Sequence, residues 1–333
     1  MLRYAAIAGT GMYVPERVVT NDELSTMVDT SDEWIRSRTG IAERRIATAT
    51  ETSVSMAVAA ARNACRQAGV DPADLDLIIV ATYTPDQHMP SVASLVQNEL
   101  GARHAGAFDL NAACSGFVYA LSVGTQFVRA GGAEKVLVVG ADFVSRFLDF
   151  TDRGTCVLFG DGAGAAVLTP SDEPAGLLSS ELGSDGSLGH HLTLGGPERY
   201  VGLNGSNSVE RAFMKMNGRE VYRFAVKVMG EAAVNAIHKA GLTYDDVDLF
   251  IPHQANLRII DAAAKRLELP REKVWVNVDR YGNTSNASVP ICLVEAEQAG
   301  VLRDGMNVVL VGFGGGLTWA AGVVRWSREC LHG

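Results

Sequence analysis

The stretch ARNACRQAGVDPADLDLIIV, from Ala61 to Val80, returns as AVNAIHKAGLTYDDVDLFIP from Ala233 to Pro252. The offset is 172 residues throughout, and nine of the twenty aligned positions are identical. The same offset places Val136–Gly140 on Val308–Gly312, so the register holds over some eighty residues. Self-similarity at a fixed period indicates a duplicated structural unit. We therefore expect two copies of one α/β unit, related by a pseudo-twofold axis.

Each copy reads as a helix, a glycine that ends it, a buried strand, a loop, a second helix and a second strand. Apolar strands that alternate with helices are typical of parallel sheets whose faces are covered by helices. We predict an α/β fold with mostly parallel sheets in a layered α-β-α-β-α arrangement. The expected halves are residues 1–172 and 173–333, with a seam near Pro170 to Pro174.

Composition places the 333-residue chain among ordinary globular proteins, with 47% hydrophobic and 20% charged residues. Residues 1–9 read as a strand that runs into a glycine turn, which is too short for a signal peptide. The uncharged run from Met306 to Val324 approaches membrane-spanning length, but it contains five glycines. Such a run suits two buried strands around a turn better than a spanning helix. We expect a cytoplasmic protein.

The five cysteines lie far apart and form no C-x-x-C pair, so neither a zinc site nor a disulfide framework is predicted. Cys65 and Cys292 fall in helical stretches and Cys156 in an apolar strand, where buried packing is the expected role. Cys330 lies near the end of the chain. The formal charge of −9 argues against general nucleic-acid binding, so any basic patch must be local.

Cys114 is the remaining cysteine, and its surroundings distinguish it from the others. It follows the short apolar run 105–110 and precedes Phe117, Leu121 and Val128 at helical spacing. This pattern predicts a thiol at a helix N-terminus, where the helix dipole favours the thiolate and lowers the pKa from its usual ~8.5. The simpler interpretation is a small buried side chain. The neighbouring motifs favour a nucleophile.

The repeat brings two further polar residues toward this thiol. The offset pairs Cys114 with Asn286, so the loop that contains Asn283 is the counterpart of the cysteine turn. His253 follows a buried strand, at the strand end where open α/β folds bind ligands. Alone, His253 would be an ordinary loop histidine and Asn283 a turn residue. Together with Cys114 we interpret them as a catalytic group.

Two other motifs have simpler interpretations. Gly160, Gly162 and Gly164 form a G-x-G-x-G pattern, which would suggest a nucleotide-dependent oxidoreductase if a helix opened there. Only a short apolar run ending at Pro170 follows, so a strand, a tight turn and a strand fit better. His190 and His191 are adjacent, their side chains should diverge, and no carboxylate motif accompanies them. We therefore predict no metal site.

These motifs resemble those of the β-ketoacyl-acyl-carrier-protein synthase III family, in the thiolase-like superfamily. The similarity runs along essentially the whole chain, and the spacing of Cys, His and Asn within it is highly specific. Seven stretches carry the resemblance: Thr30–Gly40, Asn111–Gly116, Asp152–Gly154, Phe159–Gly164, Pro252–Asn256, Gly282–Ser285 and Gly312–Trp319.

The resemblance implies the initiating condensation of type II fatty-acid synthesis. A short acyl-CoA primer would acylate Cys114 and then condense with malonyl-acyl carrier protein, giving 3-oxoacyl-carrier protein, CoA and CO₂. His253 and Asn283 would hold the malonyl thioester carbonyl, and the backbone N–H groups of Cys114 and Gly315 would form the oxyanion hole. Two neutral donors stabilise an enolate without protonating its carbon, which agrees with this assignment. The family resemblance also implies a homodimer and no cofactor beyond the CoA thioester substrate.

The resemblance further assigns the substrate contacts. Trp34 would stack on the adenine of CoA, with Arg38 and Arg153 on its phosphates and Thr30 beside them. Phe159 would line the apolar wall near the thiol. The pantetheine arm would contact Gly218, Ala255 and Asn256.

Two predicted surfaces concern partners. A basic helical stripe follows His253 and is expected to dock the acidic carrier protein, although a solvated charged face is the simpler explanation. The docking residues are Arg223, Gln254, Arg258, Lys265 and Arg266. Met89, just before Pro90, corresponds to the family position that crosses a dimer interface and closes the partner's acyl pocket. We expect acetyl- to butyryl-sized primers, branched ones included; simple interface packing is the competing role for Met89.

Single residues separate this chain from related enzymes. The loop Gly312–Trp319 has no cysteine, which a degradative thiolase would need as a base, and Asn283 replaces the second histidine of elongating synthases. Plant-type polyketide synthases carry Gly-Phe-Gly-Pro-Gly where this chain has Gly-Phe-Gly-Gly-Gly. Two competing functions are a condensing enzyme of a secondary-metabolite pathway and a non-catalytic partner subunit. The presence of Cys114, His253 and Asn283 disfavours the subunit.

Overall fold

The structure, a computed structural model, describes residues 3–195 and 213–328. The helices are α1 (Asn21–Ser25), α2 (Asp32–Thr39), α3 (Ser53–Ala68), α4 (Val92–Leu100), α5 (Gly116–Arg129), α6 (Gly218–Lys239), α7 (Leu257–Arg266), α8 (Val278–Tyr281) and α9 (Ser288–Gln298). The strands are β1 (Tyr4–Tyr13), β2 (Val18–Thr20), β3 (Glu43–Arg45), β4 (Leu77–Ala81), β5 (Gly106–Leu110), β6 (Val136–Asp142), β7 (Gly162–Ser171), β8 (Gly176–Ser184), β9 (Leu192–Thr193), β10 (Lys215–Met216), β11 (Leu249–Pro252), β12 (Asn307–Gly314) and β13 (Thr318–Arg325).

The main sheet has nine strands in the order β11-β12-β13-β8-β1-β7-β6-β4-β5. Its two parts meet at β1 and β8, which are paired in parallel only at Ala5 and Gly176. These strands begin at Tyr4 and Gly176, again 172 residues apart, and β4 and β11 begin at the same separation. The sheet thus repeats itself about the β1–β8 junction. The loop between β7 and β8 contains the boundary that we propose between residues 1–172 and 173–333.

The strand directions differ from the expected mostly parallel pairing. Four neighbouring pairs are parallel (β1–β8, β4–β5, β4–β6 and β11–β12), and four are antiparallel (β1–β7, β6–β7, β8–β13 and β12–β13). The prediction was wrong for β7 and β13. Each of these strands follows its neighbour without a helix between them, so the chain returns antiparallel.

The helices form three layers around the two parts of the sheet. Helices α5 and α9 lie between the parts, where Phe117 and Leu121 share one buried cluster with Val289, Leu293 and apolar strand residues from both halves. Helices α3 and α4 cover the outer face of the first half, and α6 and α7 cover that of the second. The α-β-α-β-α arrangement is therefore confirmed.

Helix ends agree with the local sequence signals. The Thr52 side chain accepts a hydrogen bond from Ser55 N and completes a capping box at the start of α3. Gly69 adopts φ +65° immediately after α3, and Gly241 adopts φ +73° after the equivalent helix α6. Glycine reaches this left-handed region without a Cβ clash, so both predicted helix stops form.

The glycine pattern at residues 160–164 opens a strand. Gly162 and Gly164 belong to β7 and pair with β6 and β1, so no helix starts at these glycines and the dinucleotide interpretation is excluded. Residues 153–158 form turns. The expectation of a strand around Cys156 was wrong, because this segment bends back to support the loop of Asn283: Leu158 O accepts from Asn283 N at 2.8 Å.

The uncharged run from Met306 to Val324 forms the hairpin β12–β13, as predicted. Among the described residues, no helix is long and apolar enough to cross a membrane. Cys65, Cys114, Cys156 and Cys292 are free and buried. Cys330 lies outside the described residues.

Candidate active site

Cys114 lies in a single 3₁₀ turn, Ala113–Ser115, between β5 and α5. Its counterpart is the 3₁₀ turn Ser285–Ala287, which leads into α9 at the same offset of 172 residues. Ala113 has φ +46° and the equivalent Ser285 has φ +54°, although neither is glycine. Side chains rarely adopt this region, and such strain concentrates at functional sites. In each turn the strained first residue therefore fixes the position of the residue that follows it.

The Cys114 thiol is buried, with 7% of the residue exposed. Ser285 Oγ donates to Cys114 Sγ at 3.2 Å. The buried Tyr83 hydroxyl has no partner at normal hydrogen-bond geometry within residues 3–195 and 213–328, yet it lies close enough to the thiol to affect its ionisation. Burial raises the pKa of Cys114 to about 12, and the two hydroxyls lower it only partly.

The expected lowering of the Cys114 pKa was therefore wrong. The thiol does lie next to a helix N-terminus, as predicted, but removing a charged sulfur from water costs more than the helix dipole restores. At physiological pH the Cys114 side chain is therefore a protonated thiol.

His253 directly follows β11, and its backbone N donates to Val311 O at 2.7 Å. The residue is 1% exposed, and burial lowers the pKa of its imidazole to about 3. The ring is therefore neutral at physiological pH. Its Nδ1 atom lies 2.6 Å from Ser288 Oγ, and the imidazole and the Phe313 ring meet edge to face with centroids 5.5 Å apart.

Asn283 is held by its own loop. Its Oδ1 accepts a hydrogen bond from Ser285 N at 2.8 Å, so the amide nitrogen Nδ2 is left as the free donor. Its backbone is fixed as well, because Asn283 O accepts from Gly160 N at 3.0 Å. The Asn283 amide is thus oriented as a neutral hydrogen-bond donor. Ser285, two residues further along the same loop, touches the thiol.

Strand β12 brings these groups together through glycines. A Cβ atom at Gly312 would lie 3.3 Å from Cys114 O and 3.7 Å from His253 Cβ, so Gly312 separates the two residues. At Gly314 a Cβ would lie 2.4 Å from Cys114 N, closer than real Cβ contacts. The backbone of the nucleophile turn can approach β12 only because both positions lack a side chain.

A cavity of about 250 Å³ opens at the thiol. Apolar side chains and polar groups contribute about equally to its lining, and the polar residues include Tyr83, Asn111 and Thr193. The lining residues are Tyr83, Asn111, Ala113, Cys114, Phe159, Leu192, Thr193, Leu194, Met214 and Gly315. The structure thus places the predicted residues Cys114, Phe159 and Gly315 around one small space suited to a short apolar group.

Asp142 was not identified from the sequence. This fully buried carboxylate accepts hydrogen bonds from Thr82 Oγ1 at 3.0 Å and Thr84 Oγ1 at 2.9 Å in the first half, and from Asn286 Nδ2 at 2.8 Å in the second. Its desolvation raises its pKa. The residue ties the loop after β4 to the loop of Asn283. A lone aspartate at the end of the apolar strand β6 was the only signal for it.

Ser285 and Ser288 were also missed. The repeat contained a signal for Ser285, because that residue is the counterpart of Ala113, directly before the nucleophile. Nothing in the sequence distinguished Ser288, whose contact with His253 arises only from folding.

The predicted CoA residues form a second group. Arg38 Cζ lies 4.6 Å and Arg153 Cζ 5.1 Å from the ring centroid of Trp34. Arg153 Nη1 also donates to Asp29 O at 2.9 Å. Thr30 Oγ1 is buried and has no hydrogen-bond partner within the described part of the chain. An aromatic face and two guanidinium groups therefore lie close together, and the unsatisfied hydroxyl of Thr30 is four residues before Trp34 in the chain.

The residues assigned to the pantetheine arm are more scattered. Asn256 caps α7 and donates through Nδ2 to Arg38 O at 3.0 Å, which connects α7 to the group around Trp34. Ala255 is buried. Gly218 is exposed at the start of α6.

Helix α7 presents Arg258, Lys265 and Arg266 to solvent. Arg258 Nη2 donates to Ser37 O at 2.7 Å, and Arg266 lies 3.7 Å from Glu231. On α6, exposed Arg223 pairs with Glu220 at 2.9 Å. Exposed basic side chains therefore follow the loop of His253, and their role in docking stays a prediction.

Gln254 does not belong to that surface. It is 1% exposed, its Nε2 donates to Pro252 O at 2.8 Å, and its Oε1 accepts from Asn277 N at 3.0 Å. The side chain is turned inward because it satisfies backbone groups of two buried loops. The assignment of Gln254 to carrier-protein docking was wrong.

Met89 lies on the loop after β4 and is 86% exposed, ahead of a cis peptide bond to Pro90. It is not part of the cavity wall of its own chain. The expectation that the side chains of His190 and His191 diverge was wrong, because their ring centroids lie 4.0 Å apart; His190 Nδ1 lies 3.1 Å from Ser187 O. Within residues 3–195 and 213–328, no three His, Cys, Asp or Glu side chains are grouped to hold a metal ion.

Comparisons with known proteins agree with this geometry. The family model for 3-oxoacyl-[acyl-carrier-protein] synthase III matches residues 108–186, and the model for its C-terminal part matches residues 237–326. The β-ketoacyl-[acyl-carrier-protein] synthase III of Roseiflexus castenholzii is 54% identical, over 98% of this chain and 99% of that protein.

Solved structures show the same similarity. The synthase III of Thermus thermophilus is 50% identical and superposes with a TM-score of 0.91, covering 97% of this chain and 99% of its own. The priming β-ketosynthase of the R1128 polyketide pathway is 42% identical with a TM-score of 0.92, covering 98% and 97%. The fold is shared by both, and the identity to the Thermus thermophilus synthase III is higher than the identity to the polyketide enzyme.

Proposed function

The chain belongs to the β-ketoacyl-acyl-carrier-protein synthase III family of condensing acyltransferases, and on this basis we propose how its residues start fatty-acid synthesis. The observation that supports the proposal most is the buried Cys114 thiol beside a small cavity, with His253 and Asn283 on the neighbouring loops.

In the first half-reaction the Cys114 sulfur attacks the carbonyl carbon of a short acyl-CoA. The bond from that carbon to the CoA sulfur breaks, and CoA departs carrying the proton of the thiol. The backbone N–H groups of Cys114 and Gly315 stabilise the oxyanion formed in between. The small volume of the cavity, about 250 Å³, supports acyl groups of acetyl to butyryl size.

In the second half-reaction malonyl-acyl carrier protein replaces CoA. The bond between the malonyl α-carbon and its carboxylate breaks, CO₂ leaves, and the electron pair forms an enolate. This carbon attacks the Cys114 thioester, and the sulfur leaves and regains a proton from solvent. His253 and Asn283 hold the enolate oxygen as neutral donors. The low pKa of His253 supports this role, because a neutral ring does not protonate the carbanion.

CoA enters past the group around Trp34. We propose that its adenine stacks on Trp34 and that Arg38 and Arg153 bind its phosphates, since arginine forks suit phosphate oxygens. Thr30 supplies the unsatisfied hydroxyl beside them. Gly218, Ala255 and Asn256 are the proposed contacts of the pantetheine arm.

The carrier protein is the proposed partner of the basic surface, formed by Arg223, Arg258, Lys265 and Arg266. Acidic partners are steered by such charges. The proposed compartment is the cytoplasm, with which four free, buried cysteines among the described residues are compatible.

A homodimer through β5 completes the proposal. This strand is the edge of the sheet, pairs only with β4, and leaves Phe108 36% exposed. The opposite edge strand β11 is buried throughout. An uncovered apolar edge strand favours pairing with a second copy. The exposed Met89 then reaches toward the acyl pocket of the partner subunit.

The half-reactions test these roles. We expect His253→Ala and Asn283→Ala to accept label from acyl-CoA on Cys114 and to lose malonyl-dependent CO₂ release by on the order of 10²- to 10³-fold. Cys114→Ala should carry no covalent label and is the control for the first step. Near-normal condensation by either loop variant would contradict its role, and labelling of Cys114→Ala would contradict the nucleophile.

A further inference from the structure

Ser288 is the first residue of α9 and is 1% exposed. Its Oγ atom lies 2.6 Å from His253 Nδ1 and 2.9 Å from Ser285 O. The hydroxyl carries one proton, so it can donate to only one of these two acceptors. The choice between these two acceptors decides which ring nitrogen of His253 carries the imidazole proton.

The backbone indicates which acceptor it is. Ser285 O already accepts a hydrogen bond from the backbone N–H of Ser288, so that carbonyl stays satisfied without the hydroxyl. His253 Nδ1 has no other partner within the described residues. A buried ring nitrogen without a partner is costly, whereas a carbonyl with one donor is not.

We propose that Ser288 is a positioning residue whose hydroxyl donates to His253 Nδ1 and holds the imidazole in the tautomer that carries its proton on Nε2. The opposite tautomer would leave a lone pair on Nε2, which repels an enolate oxygen. Because the ring stays neutral, the tautomer alone decides whether Nε2 donates or accepts. The inference rests on the proposed function of His253 as a donor to the enolate.

Nitrogen NMR of the full-length enzyme labelled with ¹⁵N-histidine tests the tautomer directly. The His253 signals are assigned by their loss in His253→Ala, which distinguishes them from the other six histidines. We expect a protonated Nε2 and a bare Nδ1 in the wild-type enzyme. A proton on Nδ1 would overturn the proposal without the need for any variant.

Kinetics of Ser288→Ala test the consequence. We expect acyl transfer to Cys114 near the wild-type rate, a loss of malonyl-dependent CO₂ release of roughly 10- to 100-fold, and mixed tautomers in the spectrum. Ser288→Thr, which keeps the hydroxyl, should restore both. Ser122→Ala is the matched control. Ser122 lies in α5, away from the catalytic group, and its buried hydroxyl is hydrogen-bonded to Ser180 Oγ at 3.1 Å.

These experiments distinguish a failure of the Ser288 role from a failure of the His253 role. If Ser288→Ala keeps both the tautomer and the rate while His253→Ala loses condensation, the role of Ser288 is wrong and the role of His253 stands. If His253→Ala itself condenses normally, the proposed function of His253 is wrong, and the inference falls with it.

Discussion

At Cys114 two physical effects oppose each other. A helix N-terminus stabilises a negative charge by about 0.3–1 kcal/mol, and by ~2 kcal/mol in favourable cases. The rise of the pKa from 9.0 to about 12 corresponds to about 4 kcal/mol against the thiolate. Burial therefore prevails. The sulfur is therefore a protonated thiol at physiological pH, beside a small cavity.

This pKa predicts a characteristic pH dependence of alkylation. Below the pKa the thiolate fraction rises tenfold per pH unit, so iodoacetamide should modify Cys114 about ten times faster for each unit between about pH 7 and 10. Peptide mapping by mass spectrometry separates Cys114 from the other cysteines, and Cys114→Ala supplies the blank. A plateau below about pH 9 would mean that the thiol is already ionised there, contrary to the raised pKa.

Gly314 makes a different contribution at the residue scale. A methyl group there would meet Cys114 N at 2.4 Å, and a backbone atom cannot move aside as a flexible side chain can. The glycine is therefore required for the position of the nucleophile turn.

We expect Gly314→Ala to lower the free energy of unfolding by roughly 1–3 kcal/mol, as overpacking does, and to slow acylation of Cys114. Gly186→Ala is the matched control, because a Cβ there meets nothing within 4 Å. Denaturant unfolding and acyl-CoA labelling measure the two effects. Equal behaviour of the two variants would show that the turn tolerates the methyl group.

At the scale of elements, α7 connects two functions. Its N-cap Asn256 and its residue Arg258 both donate to backbone carbonyls at the end of α2, next to Trp34. Its C-terminal cations Lys265 and Arg266 face solvent. The helix thus supports the proposed CoA site at one end and offers positive charge to the proposed carrier-protein partner at the other.

Charge reversal at the C-terminal end of α7 separates these functions. Lys265→Glu should raise the KM for malonyl-carrier protein by about fivefold at low salt, equivalent to ~1 kcal/mol for an exposed charge, and leave acyl-CoA transfer unchanged. The difference should shrink in high salt, because exposed charges are screened. Lys135→Glu, a reversal at the start of β6, is the control. Equal losses with both substrates would indicate general damage.

At the scale of the whole molecule, two sheet edges differ in a way that the duplication alone does not explain. Strand β5 has no counterpart in the second half, where α8 occupies the equivalent residues. The first half therefore ends in an uncovered strand, and the Met89 loop projects beside it. The asymmetry supports pairing of two chains through the first half.

We propose that this arrangement makes Met89 a determinant of chain length only in the dimer. Met89→Gly should shift preference toward longer acyl-CoA, by roughly 1 kcal/mol for each methylene that the opened space buries. Turnover across an acyl-CoA series measures the shift, and light scattering checks that the variant stays dimeric. Met27→Gly, at an exposed methionine elsewhere, is the control. An unchanged series in a folded dimer would exclude this gate.

The duplication, the layered arrangement and the positions of Cys114, His253 and Asn283 could all be read along the chain before any coordinates. They follow from a repeat at constant offset and from residues that end buried strands. A repeat of this length can be recognised in the sequence without knowing which residues pack against it.

The chemistry of those residues, in contrast, arises only on folding. Burial by distant segments raises the pKa of Cys114. Folding also brings Ser288 to His253 Nδ1 and turns the Gln254 side chain into the core. The physical reason is that desolvation and hydrogen-bond satisfaction depend on atoms from both halves, which meet only after the chain has folded.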